Sequence, residues 1–134
     1  TQTNPLKNNT LLLVDKNNEE RLTRSLYSFF GNNKEGEYIL RTKFLERKTN
    51  RIVKSNQVAE KIDYTIEVNY NLFDKTNECE FFSDKVITSF SFTPKSSGYN
   101  FGSDRSFNKL YNNSIDQNID NFIDALQINK GCLE

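Results

Sequence analysis

The 134-residue chain contains no histidine, and it has only two cysteines, two prolines and five glycines. Without histidine it lacks the side chain that most often acts as a general base or a metal ligand. Cys79 and Cys132 lie far apart, and neither belongs to a CxxC pair, so no zinc or thioredoxin-like site is indicated. No GxSxG motif and no phosphate-binding glycine loop is present. These absences predict a protein that is not an enzyme and that uses no metal and no cofactor.

The chain also has no net charge, because 18 basic residues balance 18 acidic ones. Proteins that bind nucleic acid usually carry a basic excess, so no nucleic-acid partner is expected. No apolar run approaches the roughly 20 residues of a membrane-spanning helix. The 11 phenylalanines and 6 tyrosines are enough to fill one modest core. We therefore expect a single domain over residues 1–134.

The two ends of the chain look unlike the rest. Residues 1–9 form a polar, extended lead, and residues 129–134 form a tail whose final Leu133-Glu134 is compatible with a cloning scar. The chain begins at Thr1 without a methionine or a signal peptide, so we expect that an upstream segment was removed.

The clearest structural pattern is "KIDYTIEVNYNLFD", from Lys61 to Asp74. Successive side chains of a strand point to opposite faces, so this alternation predicts a long strand with one apolar and one wet face. The apolar side chains are Ile62, Tyr64, Ile66, Val68, Tyr70 and Leu72. The polar ones are Asp63, Thr65, Glu67, Asn69 and Asn71.

The remaining patterns predict three more strands and two helices. The strands are "TLLLVD" (10–15), "EYILRTKFLER" (37–47) and "EFFSDKVITSFSF" (80–92). The first helix follows an N-cap at Asn17 or Asn18 and stops at Gly31, and the second follows Ser103 or Asp104. The turn "DKTNE" (74–78) places a positive φ at Asn77.

The resulting order is β-α-β-β-β-α. A helix between the first two strands favours their parallel pairing, and the last three strands form an antiparallel meander. We predict an α+β, two-layer sandwich with both helices packed on one face of a four-stranded mixed sheet.

A group of basic residues surrounds the end of the second strand and the long connection from Lys48 to Glu60. It contains Arg41, Lys43, Arg47, Lys48, Arg51 and Lys54. One interpretation is contact with phosphates or another anionic surface. The alternative is a solvated hairpin whose charges protect a sheet edge.

Two further features have two interpretations each. Tyr99 and Phe101, in a loop of small residues, either anchor a partner or fold back onto the core. The last strand rises roughly 44 Å from Cys79 and the last helix returns roughly 36 Å, which brings Cys132 back near it. A Cys79–Cys132 disulfide is therefore possible, and two free thiols are the alternative.

The element order and four segments resemble the outer-membrane LPS-assembly lipoprotein family (LptE). The segments are "ERLTRSLYSFF", "EYILRTKFL", "DYTIEVNYNLFD" and "KVITSFSF", and the resemblance runs from about Thr10 to Ile128. The third segment is the most specific, because its apolar residues and Asp74 keep the family's spacing. Pro5-Leu6 matches the family's N-terminal pattern, but the lipidated cysteine and the tyrosine of that pattern are absent.

The resemblance implies a lipid-anchored protein on the periplasmic side of the outer membrane. Such proteins sit inside a large β-barrel (LptD), help it to assemble, and assist the insertion of lipopolysaccharide at the cell surface. A plug in a water-filled lumen needs a hydrophilic outer face, which the polar row of the long strand offers. The alternatives are an auxiliary lipoprotein of another envelope lipid transporter and a secreted protein-interaction domain.

Overall fold

The computed structural model describes residues 6–16, 18–52, 60–92 and 105–128. It confirms the predicted α+β architecture and the order β-α-β-β-β-α. The elements are β1 (Thr10–Val14), α1 (Glu20–Phe30), β2 (Tyr38–Ile52), β3 (Glu60–Asp74), β4 (Cys79–Phe92) and α2 (Arg105–Ile128).

The four strands form one mixed sheet in the order β1-β2-β3-β4. β1 pairs in parallel with β2, and the other two pairs are antiparallel, as predicted. The predicted connection from Lys48 to Glu60 is wrong, because β2 and β3 stay paired as far as Ile52 and Glu60. The end of β2 is polar on both faces, so it shows no hydrophobic period although its backbone remains in the ladder.

The core lies between the sheet and the two helices. The even-numbered side chains of β3 from Ile62 to Asp74 are buried there, as are Leu40 and Thr42 of β2, and the apolar stripes of both helices pack on them. The largest fully buried side chains are Tyr70, Phe30, Phe122, Leu6, Leu22, Leu26, Leu40, Ile66, Leu72, Ile115, Ile119 and Ile123. Both helices therefore cover the same face of the sheet.

One polar side chain lies at the centre of this core. Asn118 of α2 is fully buried, and its Oδ1 accepts a hydrogen bond from the hydroxyl of Tyr70 at 2.7 Å. Its Nδ2 donates to the carbonyl of Val86 at 3.0 Å. The ring of Tyr70 stacks on Phe122 with 4.1 Å between centroids. Asn118 thus fixes α2 at one position along β3 and β4.

The start of α1 differs from the prediction. Glu19 occupies the N-cap position and makes no side-chain cap bond. Asn18 instead turns towards β2, where its amide bonds the carbonyl of Thr42 and the N–H of Phe44. The N-cap prediction was wrong because a buried strand competes for the same amide. Gly31 ends the helix as predicted, at φ 70°.

The turn between β3 and β4 also differs in one residue. Asn77 was expected at positive φ, but Glu78 adopts it, at φ 52°. The side chain of Asn77 donates to the Asp74 carboxylate at 2.8 Å, and that carboxylate also accepts from the Asn77 N–H. These bonds hold Asn77 inside the turn, so the left-handed residue is the next one. A bulge then follows, since Leu72 pairs with Phe82 but Phe73 pairs with Glu80.

Candidate binding surface on the open face of the sheet

The face of the sheet opposite the helices carries the odd-numbered side chains of its strands. We call this surface the open face. The register places them in rows that run across the strands. These rows are Leu13–Arg41–Asn71–Ser83, Lys43–Asn69–Lys85, Leu45–Glu67–Ile87, Arg47–Thr65–Ser89 and Thr49–Asp63–Ser91.

Four exposed cations share the open face. Arg41, Lys43 and Arg47 belong to the predicted basic group, and Lys85 of β4 joins them. Lys43 and Lys85 both pair with Asn69, so they flank it in one row. Lys85 was not among the predicted residues because it lies far from them in the sequence. The sequence shows only that Lys85 has an odd number in β4, and the strand register is needed to place it beside Asn69.

These four cations have no hydrogen-bond or ion-pair partner within the part of the chain that the structure describes. The ion pair found there joins Arg21 to Glu19, at 3.6 Å, in the helix layer. Charges without a partner remain available to an incoming anion.

The acids of the open face do not neutralise those cations. Asp63 accepts a hydrogen bond from the Ser91 hydroxyl at 2.5 Å, and Glu80 accepts one from the Asn71 amide at 2.8 Å. Glu67, at the centre of the face, is only 9% exposed. These bonds come from neutral donors, so the acids keep their charge, and four cations against three acids leave the open face with a small positive excess.

Three exposed aliphatic side chains lie among the cations. Leu13, Leu45 and Ile87 are 40%, 44% and 53% exposed. The row that holds Leu45 and Ile87 runs directly beside the row that holds Lys43 and Lys85. Neighbouring residues along a strand face are separated by about 7 Å, so cationic and apolar groups are within reach of one ligand.

The other residues of the predicted basic group are placed differently. Lys48 has even parity, so it lies on the helix side of the sheet, where its ammonium is 5.8 Å from the ring centroid of Tyr64. Residues close in sequence need not share a face, and strand alternation separates Lys48 from Arg47. Arg51 lies in β2, but its side chain is outside the described residues, and so is all of Lys54.

Three predicted residues also fall outside the described ranges, namely Tyr99, Phe101 and Cys132. Cys79 begins β4 and is in a disulfide rather than a free thiol. Its pairing with Cys132 remains a prediction.

Comparison with known proteins places the fold. No protein-family model matches the chain, and no curated protein matches its sequence. Solved structures do match it. A minor lipoprotein from Acinetobacter baumannii superimposes with a TM-score of 0.56 at 11% identity, over 97% of this chain and 100% of the other. The rare lipoprotein B from Shewanella oneidensis gives a TM-score of 0.59 at 12% identity, over 88% and 92%. The chain shares the fold of these lipoproteins.

A polar groove lies between the two helices, away from the open face. It has a volume of about 560 Å³. Two contacts cross it, from Arg21 to the Asn108 Oδ1 at 2.8 Å and from the Ser25 hydroxyl to Asp116 at 2.9 Å. Burial and then the neighbouring Asp124 and Asp116 raise the pKa of Asp120 on the same helix. The groove is thus partly closed by its own side chains.

The described residues give no sign of a metal centre or of a membrane-spanning helix. Within those ranges no three acidic or cysteine side chains converge as metal ligands do. Neither helix has an apolar stretch long enough to cross a bilayer. What the described surface offers is instead an extended sheet face with unpaired cations beside aliphatic side chains. That combination fits a ligand which carries both phosphates and hydrocarbon.

Proposed function

We propose that this protein is a non-enzymatic, lipid-anchored subunit of the lipopolysaccharide export machinery on the periplasmic side of the outer membrane. It plugs the transport β-barrel (LptD), helps that barrel to assemble, and assists lipopolysaccharide insertion. Two observations support the proposal. Its fold is shared by solved bacterial lipoproteins, and its element order and strand patterns resemble those of the LPS-assembly lipoprotein family.

The observation that carries the proposal is the chemistry of the open face. Lipopolysaccharide presents phosphates next to acyl chains, and the open face presents unpaired Arg41, Lys43, Arg47 and Lys85 next to exposed Leu45 and Ile87. A cation near an anionic lipid surface contributes about 1 kcal/mol to its binding. Four such cations are enough to orient the molecule, and the aliphatic side chains add apolar contact.

The experiment that tests the proposed function is co-purification. The chain, carrying the proposed lipid anchor at its N-terminus, is co-expressed with the LPS-transport barrel of the same genome. We expect a stoichiometric complex that survives detergent extraction. If both proteins fold but never co-elute, the barrel-plug function is wrong.

The open face also fits a different ligand. An anionic phospholipid carries a phosphate and acyl chains, as lipopolysaccharide does. If the chain does not co-purify with the barrel but binds anionic phospholipid vesicles, it would be an auxiliary lipoprotein of another envelope lipid transporter.

A further inference from the structure

The groove between α1 and α2 exists because short polar side chains face each other where the helices run side by side. Ser25 and Ser28 of α1 lie three residues apart and so share one helix face, and Asn112 of α2 lies opposite them. These side chains are too short to fill the space between the helices. They leave a volume of about 560 Å³, which is within the range of small-molecule sites in proteins.

Contacts between the two helices hold the groove in shape. Arg21 donates to the Asn108 Oδ1 at 2.8 Å, and its guanidinium lies 4.4 Å from the ring centroid of Tyr111. The Ser25 hydroxyl donates to Asp116 at 2.9 Å. A groove that is already formed before its ligand arrives costs less conformational entropy to bind.

The groove combines hydrogen-bond donors with acceptors. Arg24, Ser28 and Asn112 are exposed and have no hydrogen-bond partner within the described ranges of the chain. Arg24 only donates, whereas a serine hydroxyl and an asparagine amide both donate and accept. Asp116 accepts from Ser25 through Oδ1, and its Oδ2 is a further acceptor. A ligand that fits these groups must itself present donors and acceptors side by side.

The charges of the groove balance each other. Arg24 and Asp116 line opposite helices, and Arg21 has the carboxylate of Glu19 at 3.6 Å. An anion near Arg24 is repelled by Asp116, and a cation near Asp116 is repelled by Arg24, so a charged ligand gains little. A neutral ligand with several hydroxyl groups has no such conflict, because each hydroxyl both donates and accepts.

We propose that the groove between α1 and α2 binds a neutral saccharide. Hydroxyl groups of the sugar accept from Arg24, exchange hydrogen bonds with Ser28 and Asn112, and donate to Asp116. The half-buried ring of Phe29 lines the groove and provides an apolar surface for the C–H groups of a sugar ring. This site lies on the helix side of the sheet, so it is separate from the open face.

Titration of the isotope-labelled chain with neutral trisaccharides, followed by NMR, tests the proposal. The probes are trisaccharides of glucose, mannose, galactose and N-acetylglucosamine, each added to about 10 mM. We expect at least one probe to bind with a Kd of about 1 mM and to shift the amide resonances of residues 21–29 and 108–116. The proposal is overturned if no probe shifts these resonances, or if the shifts are confined to the open face.

Two matched variants test whether the groove itself is the site. Asn112→Leu should weaken saccharide binding at least about tenfold, because it removes a donor and an acceptor from the groove. The control is Asn113→Leu, the same change at the next position of α2, which is also exposed but does not line the groove. Equal losses in the two variants would contradict the assignment.

Inorganic phosphate, added at the same concentration, distinguishes a saccharide site from an anion site. We expect phosphate to leave the resonances of residues 21–29 and 108–116 unchanged, because Asp116 opposes an anion bound at Arg24. If phosphate shifts these resonances and the saccharides do not, the groove is an anion site and the saccharide proposal is wrong.

Discussion

The buried contact between Asn118 and Tyr70 gives the sharpest prediction about stability. An Asn118→Leu substitution keeps the number and branching of the side-chain heavy atoms but removes the acceptor of the Tyr70 hydroxyl, at 2.7 Å, and the donor to the Val86 carbonyl, at 3.0 Å. Tyr70 is only 1% exposed, so water cannot replace the lost hydrogen bond of its hydroxyl. An unsatisfied buried hydroxyl costs about 1–3 kcal/mol, and a lost hydrogen bond about 1 kcal/mol.

The gain in apolar burial at position 118 offsets part of this loss, so we expect Asn118→Leu to lower the free energy of unfolding by about 2–3 kcal/mol. That is a large fraction of the 5–15 kcal/mol typical of a domain. The assay is urea denaturation followed by circular dichroism. The matched control is Gln117→Leu, at the neighbouring exposed position, where the change should stay within about 0.5 kcal/mol.

A double variant separates the hydrogen bond from the packing. Tyr70→Phe removes the hydroxyl that Asn118→Leu leaves without an acceptor, and it keeps the ring stacked on Phe122. The Tyr70→Phe, Asn118→Leu pair should therefore be more stable than Asn118→Leu alone, because replacing both partners leaves nothing unsatisfied. The reasoning is refuted if Asn118→Leu is as stable as wild type, or if adding Tyr70→Phe brings no recovery.

Two more predictions concern the backbone and the pH range. Gly36→Ala should destabilise the fold by about 1–3 kcal/mol in the same urea assay, because a Cβ there would lie 2.4 Å from the Asn9 carbonyl oxygen; a change below 0.5 kcal/mol would contradict this. Burial raises the pKa of Tyr70 and Tyr111 above the ordinary value of 10.0, and the hydrogen bond to Glu46 adds to the shift of Tyr111. The folded state therefore retains these protons longer than the unfolded state, so the stability that these two tyrosines contribute is complete below about pH 10 and is lost as the pH rises above it. Tyrosinate absorbance that accounts for all 6 tyrosines before the circular dichroism changes would contradict this order.

The fold was largely predictable because its signals are local. Period-2 alternation identified β3, and glycine and helical spacing delimited α1. The polar end of β2 was not predicted as strand. Its pairing with β3 continues to Ile52 although the sequence there has no hydrophobic period. Asn18 shows the same limit, because its amide bonds β2 rather than capping the adjacent helix.

The candidate binding surface was only partly predictable, for a geometric reason. Neighbours in sequence suggested one basic group, but strand alternation sends Lys48 to the other side of the sheet. Lys85 joins the open face through cross-strand register, which couples positions far apart in the chain. The same holds for Asn118, whose partner Tyr70 is 48 residues away. A sequence pattern predicts which face of its own strand or helix a residue occupies. A binding site also depends on which strands and helices are neighbours in the fold.

Titration with lipopolysaccharide measures the proposed binding at the open face. We would compare the wild-type chain with an Arg41→Glu, Lys43→Glu, Lys85→Glu variant by titration with purified lipopolysaccharide. Lys109→Glu, an exposed change on α2, serves as a control. We expect the triple variant to fold normally but to bind lipopolysaccharide at least about 100-fold more weakly. The reason is that three cations, worth about 1 kcal/mol each, are replaced by negative charges. Unchanged binding by the triple variant would contradict the proposed binding at the open face.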